Sequence, residues 1–179
     1  MTTKAKGKAG PTTSGAEGRI PDLTIRNAVL MYRNFSGAAK RYNAAGLRNF
    51  HVKLDLETAK MLSSDGWNVK YEEPRDPDDD PTAHMKVNFS FEKYPPRIVL
   101  ISGRNGEHKT VLDAQTVSLV DSADIIKVDL VLSGTRWEKG TDHGIKTWLR
   151  KAFITLSPDD LESEYFSDKK VVDTDMEDD

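Results

Sequence analysis

A mainly β (α+β) fold follows from three features of the sequence. Apolar and polar residues alternate with period 2 along several stretches, Gly- and Pro-bearing turns separate those stretches, and helix start signals are few and short. The alternation is clearest in His84-Met85-Lys86-Val87-Asn88-Phe89-Ser90-Phe91, where every odd position is apolar.

In chain order, residues 1–21 carry Lys4, Lys6 and Lys8 among Gly, Thr and Ala, with almost no large apolar side chain. That composition cannot build a core and predicts a disordered basic arm. Residues 23–32 are strand-like. Residues 47–55 put Phe50, Val52 and Leu54 on one face and Asn49, His51 and Lys53 on the other. Asp55 reads as the N-cap of a helix over Leu56–Ser64. Residues 67–71 predict a strand with Trp67, Val69 and Tyr71 on one side. Glu72–Pro81 is an acidic stretch broken by Pro74, Pro77 and Pro81. It has neither the central Gly nor the closing Glu of a calcium loop, and reads as a rigid surface excursion.

Pro95-Pro96 stops the strand before it. Ile98–Ile101 is a continuous apolar run, expected to be buried on both faces. Arg104-Asn105-Gly106-Glu107 carries the Asn-Gly pair of a tight hairpin. Ala114–Val120, after Asp113, is a second short helix. Residues 124–132 align Ile126, Val128, Leu130 and Leu132, and residues 138–144 read as a longer hairpin tip. In the last strand, 145–156, the inward set switches from odd positions (Ile145, Leu149) to even ones (Ala152, Ile154, Leu156), which predicts a bulge. Ser157-Pro158-Asp159-Asp160 is a helix start, giving a short C-terminal helix over 158–166. Residues 167–179 form an acidic, disordered tail. Some seven short strands with these helices suit an OB-fold-like Greek-key barrel over residues 22–166, with extra strands and one or two short inserted helices. No internal repeat is visible.

Charge is laid out unevenly. Residues 1–50 hold nine Lys/Arg against Glu17 and Asp22, whereas residues 157–179 hold ten Asp/Glu against Lys169 and Lys170. The net charge of −3 conceals a positive front and a negative tail, a layout that suits a protein that grips a polyanion and must release it. The absence of cysteine excludes disulfides, a thiolate zinc site and a cysteine nucleophile. No run reaches the ~18 apolar residues of a membrane span, and no apolar stretch follows the N-terminal lysines as in a secretory signal. The four histidines are dispersed, without a pair at ligand spacing. There is no Walker-type cradle and no nucleophile elbow. The expectation is a non-enzyme without metal or cofactor.

Two clusters are candidates for nucleic-acid contact. In the loop between the first two strands, Arg33, Lys40, Arg41 and Arg48 are interleaved with Phe35 and Tyr42. Cations contact phosphates, and aromatic faces stack on exposed bases. The alternative is a solvated loop whose aromatics pack inward. In the second cluster, Arg136, Trp137 and Lys139 approach a hairpin tip, and Lys146, Trp148 and Arg150 share one face of the return strand. That face is either a stacking platform with phosphate clamps or a core Trp flanked by snorkelling cations.

Ile25-Arg26-Asn27-Ala28 through Arg48-Asn49-Phe50, Asp65-Gly66-Trp67-Asn68-Val69-Lys70, and Trp137 followed by Gly144-Ile145-Lys146-Thr147-Trp148-Leu149 resemble bacteriophage single-stranded DNA-binding proteins of the early, replication-associated set. The resemblance covers about residues 22–166. It implies an oligonucleotide-binding barrel, sequence-tolerant binding of single strands during replication or recombination in the cytoplasm of the infected bacterial host, and an acidic tail. The chain ends in Asp178-Asp179, without the terminal Pro-Phe by which bacterial cellular counterparts dock on partners. Replication or recombination proteins remain candidate partners of the tail, and homo-oligomerisation stays open. The competing expectation is a β-rich phage structural or assembly protein without preference for single strands.

Overall fold

The computed structural model describes residues 20–158. The expected helix over 158–166 lies outside the described residues beyond Pro158, as do the acidic tail and the basic arm up to residue 19. The strands are β1 (Leu23–Ile25), β2 (Leu30–Asn34), β3 (Arg48–Leu54), β4 (Val69–Glu72), β5 (Thr82–Phe89), β6 (Arg97–Ser102), β7 (His108–Leu112), β8 (Ile125–Lys139) and β9 (Asp142–Leu156). The helices are α1 (Leu56–Ser64) and α2 (Leu119–Ser122).

Closure depends on the first strand segment. β1 runs antiparallel to β8, with Leu23 opposite Leu132 and Ile25 opposite Leu130. Asn27 then turns the chain through a positive φ of 53°. Ala28 N still donates to Val128 O at 2.7 Å, while Val29 O accepts from Lys53 N at 2.9 Å. β2 goes on to pair with β3, Leu30 opposite Val52. Residues 23–34 therefore act as one bent strand bonded on both sides. β3 is antiparallel to β5, β5 meets β9 in parallel where Asn88 opposes Trp148, and β9 is antiparallel to β8. The ring of five closes as a Greek-key barrel of the expected type. β4 extends the free part of β5's edge, and the β6–β7 hairpin extends that of β9.

The inward faces are those the alternation predicts. Phe50, Val52 and Leu54 of β3 meet Met85, Val87 and Phe89 of β5, and Val128, Leu130 and Leu132 of β8. The β9 bulge falls between Leu149 and Lys151, and it turns Ala152 and Ile154 inward in place of the odd positions. Asp55 caps α1, its Oδ2 accepting from Thr58 N at 3.3 Å.

Several elements differ from expectation. Ile126 is 62% exposed. A register shift between Thr155 and Leu156 puts Ile125, not Ile126, opposite Leu156, so Ile125 takes the place at the core. The β8–β9 tip is tight, with Lys139 opposite Asp142 and Gly140 at φ 64°. The Asn105-Gly106 turn is longer than two residues: Ser102 opposes His108, and Gly103 and Gly106 carry the positive φ values. Of the helix expected over 114–120, residues 113–117 form an Asp113-capped turn, its Oδ1 accepting from Gln115 N and Thr116 N, and α2 begins at Leu119. In β6 only Ile98 and Val99 are buried, and Leu100 and Ile101 are partly exposed.

Candidate nucleic-acid interface

Register defines a row of side chains across the outside of the barrel. Asn49 opposes Asn88, Asn88 opposes Trp148, and Trp148 opposes Ser133. Each alternates with inward neighbours on its own strand, so all four point outward. Asn49 Nδ2 donates to Asn43 Oδ1 at 2.7 Å, which fastens the 35–47 loop to one end of the row. Two strand spacings, about 10 Å, separate Asn49 from Trp148. The loop and the indole therefore flank one shallow face.

On the β8–β9 ribbon, Lys146 opposes Thr135 and Gly144 opposes Trp137, so Trp137, Lys146 and Trp148 lie on the same side. Trp137 is 42% exposed, and its ring lies over Gly144: a Cβ there would come within 3.1 Å of the indole nitrogen. Glycine is what lets the ring lie flat against the ribbon. Trp148 is half-buried rather than core. Its Nε1 donates to Thr135 Oγ1 at 3.1 Å, and Lys146 Nζ sits 4.7 Å from the ring centroid, which fixes the indole in one orientation. Lys139, by alternation, shares this side at the tip. Arg150, at the bulge, reaches Asp22 Oδ2 at 3.9 Å. Arg136 does not join the platform: it opposes Ile145, an inward residue, and so projects from the other side of the ribbon.

The 35–47 loop divides its candidates. Tyr42 is 87% exposed with the Arg41 guanidinium 5.4 Å from its ring centroid, and Lys40 is also exposed. Phe35 corrects the expectation: it is 0% exposed and stacked on Phe50 at 5.0 Å with rings 8° apart, so it offers no face to a base. Arg33 Nη1 donates to Val120 O and Ala123 O at 2.8 Å each and holds α2. Arg48 Nη1 donates to Phe35 O, and its guanidinium lies 5.3 Å from the Phe91 ring centroid. These two arginines are engaged with the protein itself.

Sequence reasoning missed two features. Between the 90–97 segment and β9 lies a recess of about 690 Å³, whose lining includes Lys93, Tyr94, Arg97, Trp148 and Lys151. The cation-aromatic string Lys93-Tyr94-Pro95-Pro96-Arg97 was visible as a sequence, but it reads first as a strand stop. The second feature is a histidine pair. His51 opposes Lys86 and His84 opposes Lys53, so the two imidazoles are diagonal neighbours, with Nδ1 atoms 2.8 Å apart. One nitrogen must donate and the other accept. Tyr32 packs edge-on against both rings, and its hydroxyl donates to Glu72 Oε1 at 3.0 Å. Burial, then the neighbouring His84 and Lys86, lower the His51 pKa from 6.5 to about 4. Among the described residues, no three His, Asp, Glu or Cys side chains converge to hold a metal, and no helix is long and apolar enough to cross a membrane.

A closed five-stranded barrel with an aromatic and cationic outer face belongs to the oligonucleotide-binding class of folds. Comparison with known proteins gives the family: the chain belongs to the one described as "Putative phage ssDNA-binding domain", whose profile matches residues 13–179. Among solved structures, a C-terminal truncation of the single-stranded DNA-binding protein from bacteriophage Enc34 aligns with a TM-score of 0.50 at 10% identity, over 84% of this chain and 96% of that one. The same phage protein in complex with ssDNA aligns at 0.48 and 10% identity, over 77% and 88%. The bacteriophage T7 single-stranded DNA-binding protein gp2.5 aligns at 0.40 and 10% identity, over 79% and 92%. At such identities the likeness concerns the fold alone. No curated protein sequence matches the chain.

Proposed function

We propose that this protein binds single-stranded DNA, without sequence preference, across the outer face centred on Asn88 and Trp148. The observation that carries the proposal is the transverse row Asn49–Asn88–Trp148–Ser133, which joins the Lys40-Arg41-Tyr42 loop to the Trp137–Lys146–Trp148 ribbon. Exposed rings stack on unpaired bases, whose faces a duplex conceals, and loop and ribbon cations neutralise phosphates. Family membership supports the same ligand. In this reading the protein protects or organises single strands during phage replication or recombination in the infected cell. It acts as a binding protein rather than an enzyme, and the acidic residues after 166 compete with DNA or contact partners. The test is a gel-shift with single- and double-stranded oligonucleotides at two salt concentrations. Preferential retardation of the single strand, weakening steeply with salt, supports the proposal. Equal binding, or none, returns the protein to the structural or assembly class.

A further inference from the structure

We infer that the recess between residues 90–97 and β9 captures one nucleotide of the bound strand, with its base sandwiched between Trp148 and Tyr94. The inference rests on the single-strand reading above and adds a pocket to what is otherwise an open face. One side of the Trp148 indole is already covered by Lys146, which does not line the recess, while Trp148 does. The uncovered side of the ring therefore turns into the recess. Its orientation is fixed before binding by the Nε1 bond to Thr135 Oγ1, another lining residue.

The other wall is Tyr94, 85% exposed although a large aromatic. Its backbone sits at φ 55°, left-handed, directly before Pro95. A residue before proline is sterically pushed toward extended conformations, so this geometry is costly and must be held by its surroundings. Pro95, together with the buried Pro96, stiffens the segment that holds it. Strain that leaves a ring in solvent does nothing for the core, and its chemical use is to keep that ring standing over the recess.

Charge completes the site. Lys93, Arg97, Arg150 and Lys151 all line the recess. Arg150 is turned toward Asp22, and Lys93 Nζ lies 5.9 Å from the Tyr94 ring centroid and leaves the other face of that ring for a base. Arg97 and Lys151 have no carboxylate partner among the described residues. Cations beside two aromatic rings that line one recess match the two parts of a nucleotide: a flat base and the phosphates on either side of it. The volume, about 690 Å³, lies within the range of small-molecule pockets.

A double-mutant cycle tests the sandwich. Affinities for a labelled oligothymidylate, and for an abasic oligomer of equal length, are measured by anisotropy for Trp148→Ala, Tyr94→Ala and the double variant. If both rings hold one base, Tyr94→Ala weakens thymidylate binding about tenfold in the wild-type background and less than about twofold in Trp148→Ala, and it leaves abasic binding unchanged. Arg97→Ala weakens binding of both oligomers. Additive ring effects, or Tyr94→Ala with wild-type affinity beside a weakened Trp148→Ala, overturn the pocket and leave the single-strand reading standing. Wild-type affinity in all variants overturns both the pocket and the placement of the strand on the Trp148 face, whereas failure of the wild-type protein to bind oligothymidylate overturns the single-strand reading itself. Tyr94 is exposed, so loss of fold does not confuse the result; melting curves verify this.

Discussion

Replacing Trp148 with alanine separates a binding role from a packing role, because the structure assigns different environments to the tryptophans. Trp67 is 7% exposed and belongs to the core, where truncation of a tryptophan costs about 3–5 kcal/mol. Trp148 lies on the outside of β9, half-buried, with one ring face covered by Lys146 and one hydrogen bond to the exposed Thr135. Its removal leaves a hydroxyl that water can satisfy and no enclosed cavity, so the stability loss falls well below that of Trp67→Ala. The binding loss is that of one stacked base, about 1–3 kcal/mol, or about 5- to 150-fold in Kd. Anisotropy with a labelled oligothymidylate at about 50 and 200 mM salt reads the affinity. Thermal melting of both alanine variants reads the stability. Reduced affinity with a nearly intact melt is the expected pair for Trp148→Ala. Wild-type affinity, or a melt as damaged as that of Trp67→Ala, refutes the reasoning.

Four further outcomes follow from the geometry. Lys40→Ala with Arg41→Ala removes two exposed loop cations, and should lower the slope of log K against log salt by about 1.4 without changing the melt; Arg33→Ala or Arg48→Ala should instead lower the melting temperature, because those guanidinium groups hold backbone carbonyls. Gly134→Ala places a Cβ 2.6 Å from Ile145 Cγ2 and 2.8 Å from Trp67 Cη2, and urea unfolding should show a loss of about 1–3 kcal/mol. Stability should fall as pH drops from about 6.5 toward 4: unfolded His51 takes up its proton near 6.5 while the folded residue stays neutral down to about 4, so the unfolded state holds more protons in between. The ceiling is about 3 kcal/mol, reduced by solvent screening around a half-buried ring, and His51→Asn should flatten the pH dependence of urea midpoints.

The barrel was legible because its core strands are half-buried, and half-burial writes itself as alternation. β3 and β5 were readable to within two residues; β9 was readable except for its first three residues, assigned to the hairpin tip, and its bulge was readable because a bulge shifts the inward set from odd to even. Ile126 was misread because it is the extra residue of a second irregularity, on β8 itself. Thr155 opposes Lys127 and Leu156 opposes Ile125, so Ile126 is left without a partner, and an Ile-Ile pair offers either residue to the core. At the interface, sequence gave residue types but not sides. Phe35 and Tyr42 are equally aromatic in one loop, and only packing against Phe50 and Phe89 decides which turns inward. Arg136 and Trp137 are adjacent and must face opposite ways on a strand, so grouping them conflicted with the period-2 rule itself. The His51–His84 contact depends on the β3–β5 register, which spacing along the chain does not encode.

The most direct measurement of where the strand lies is photo-cross-linking of a single-stranded oligonucleotide to the full chain, followed by mass spectrometry of the labelled peptides. Cross-links should concentrate in residues 40–49, 86–97 and 133–151, the segments that border the Asn88–Trp148 face. Cross-links confined to α1 or to the outer edge of the β6–β7 hairpin would contradict the account.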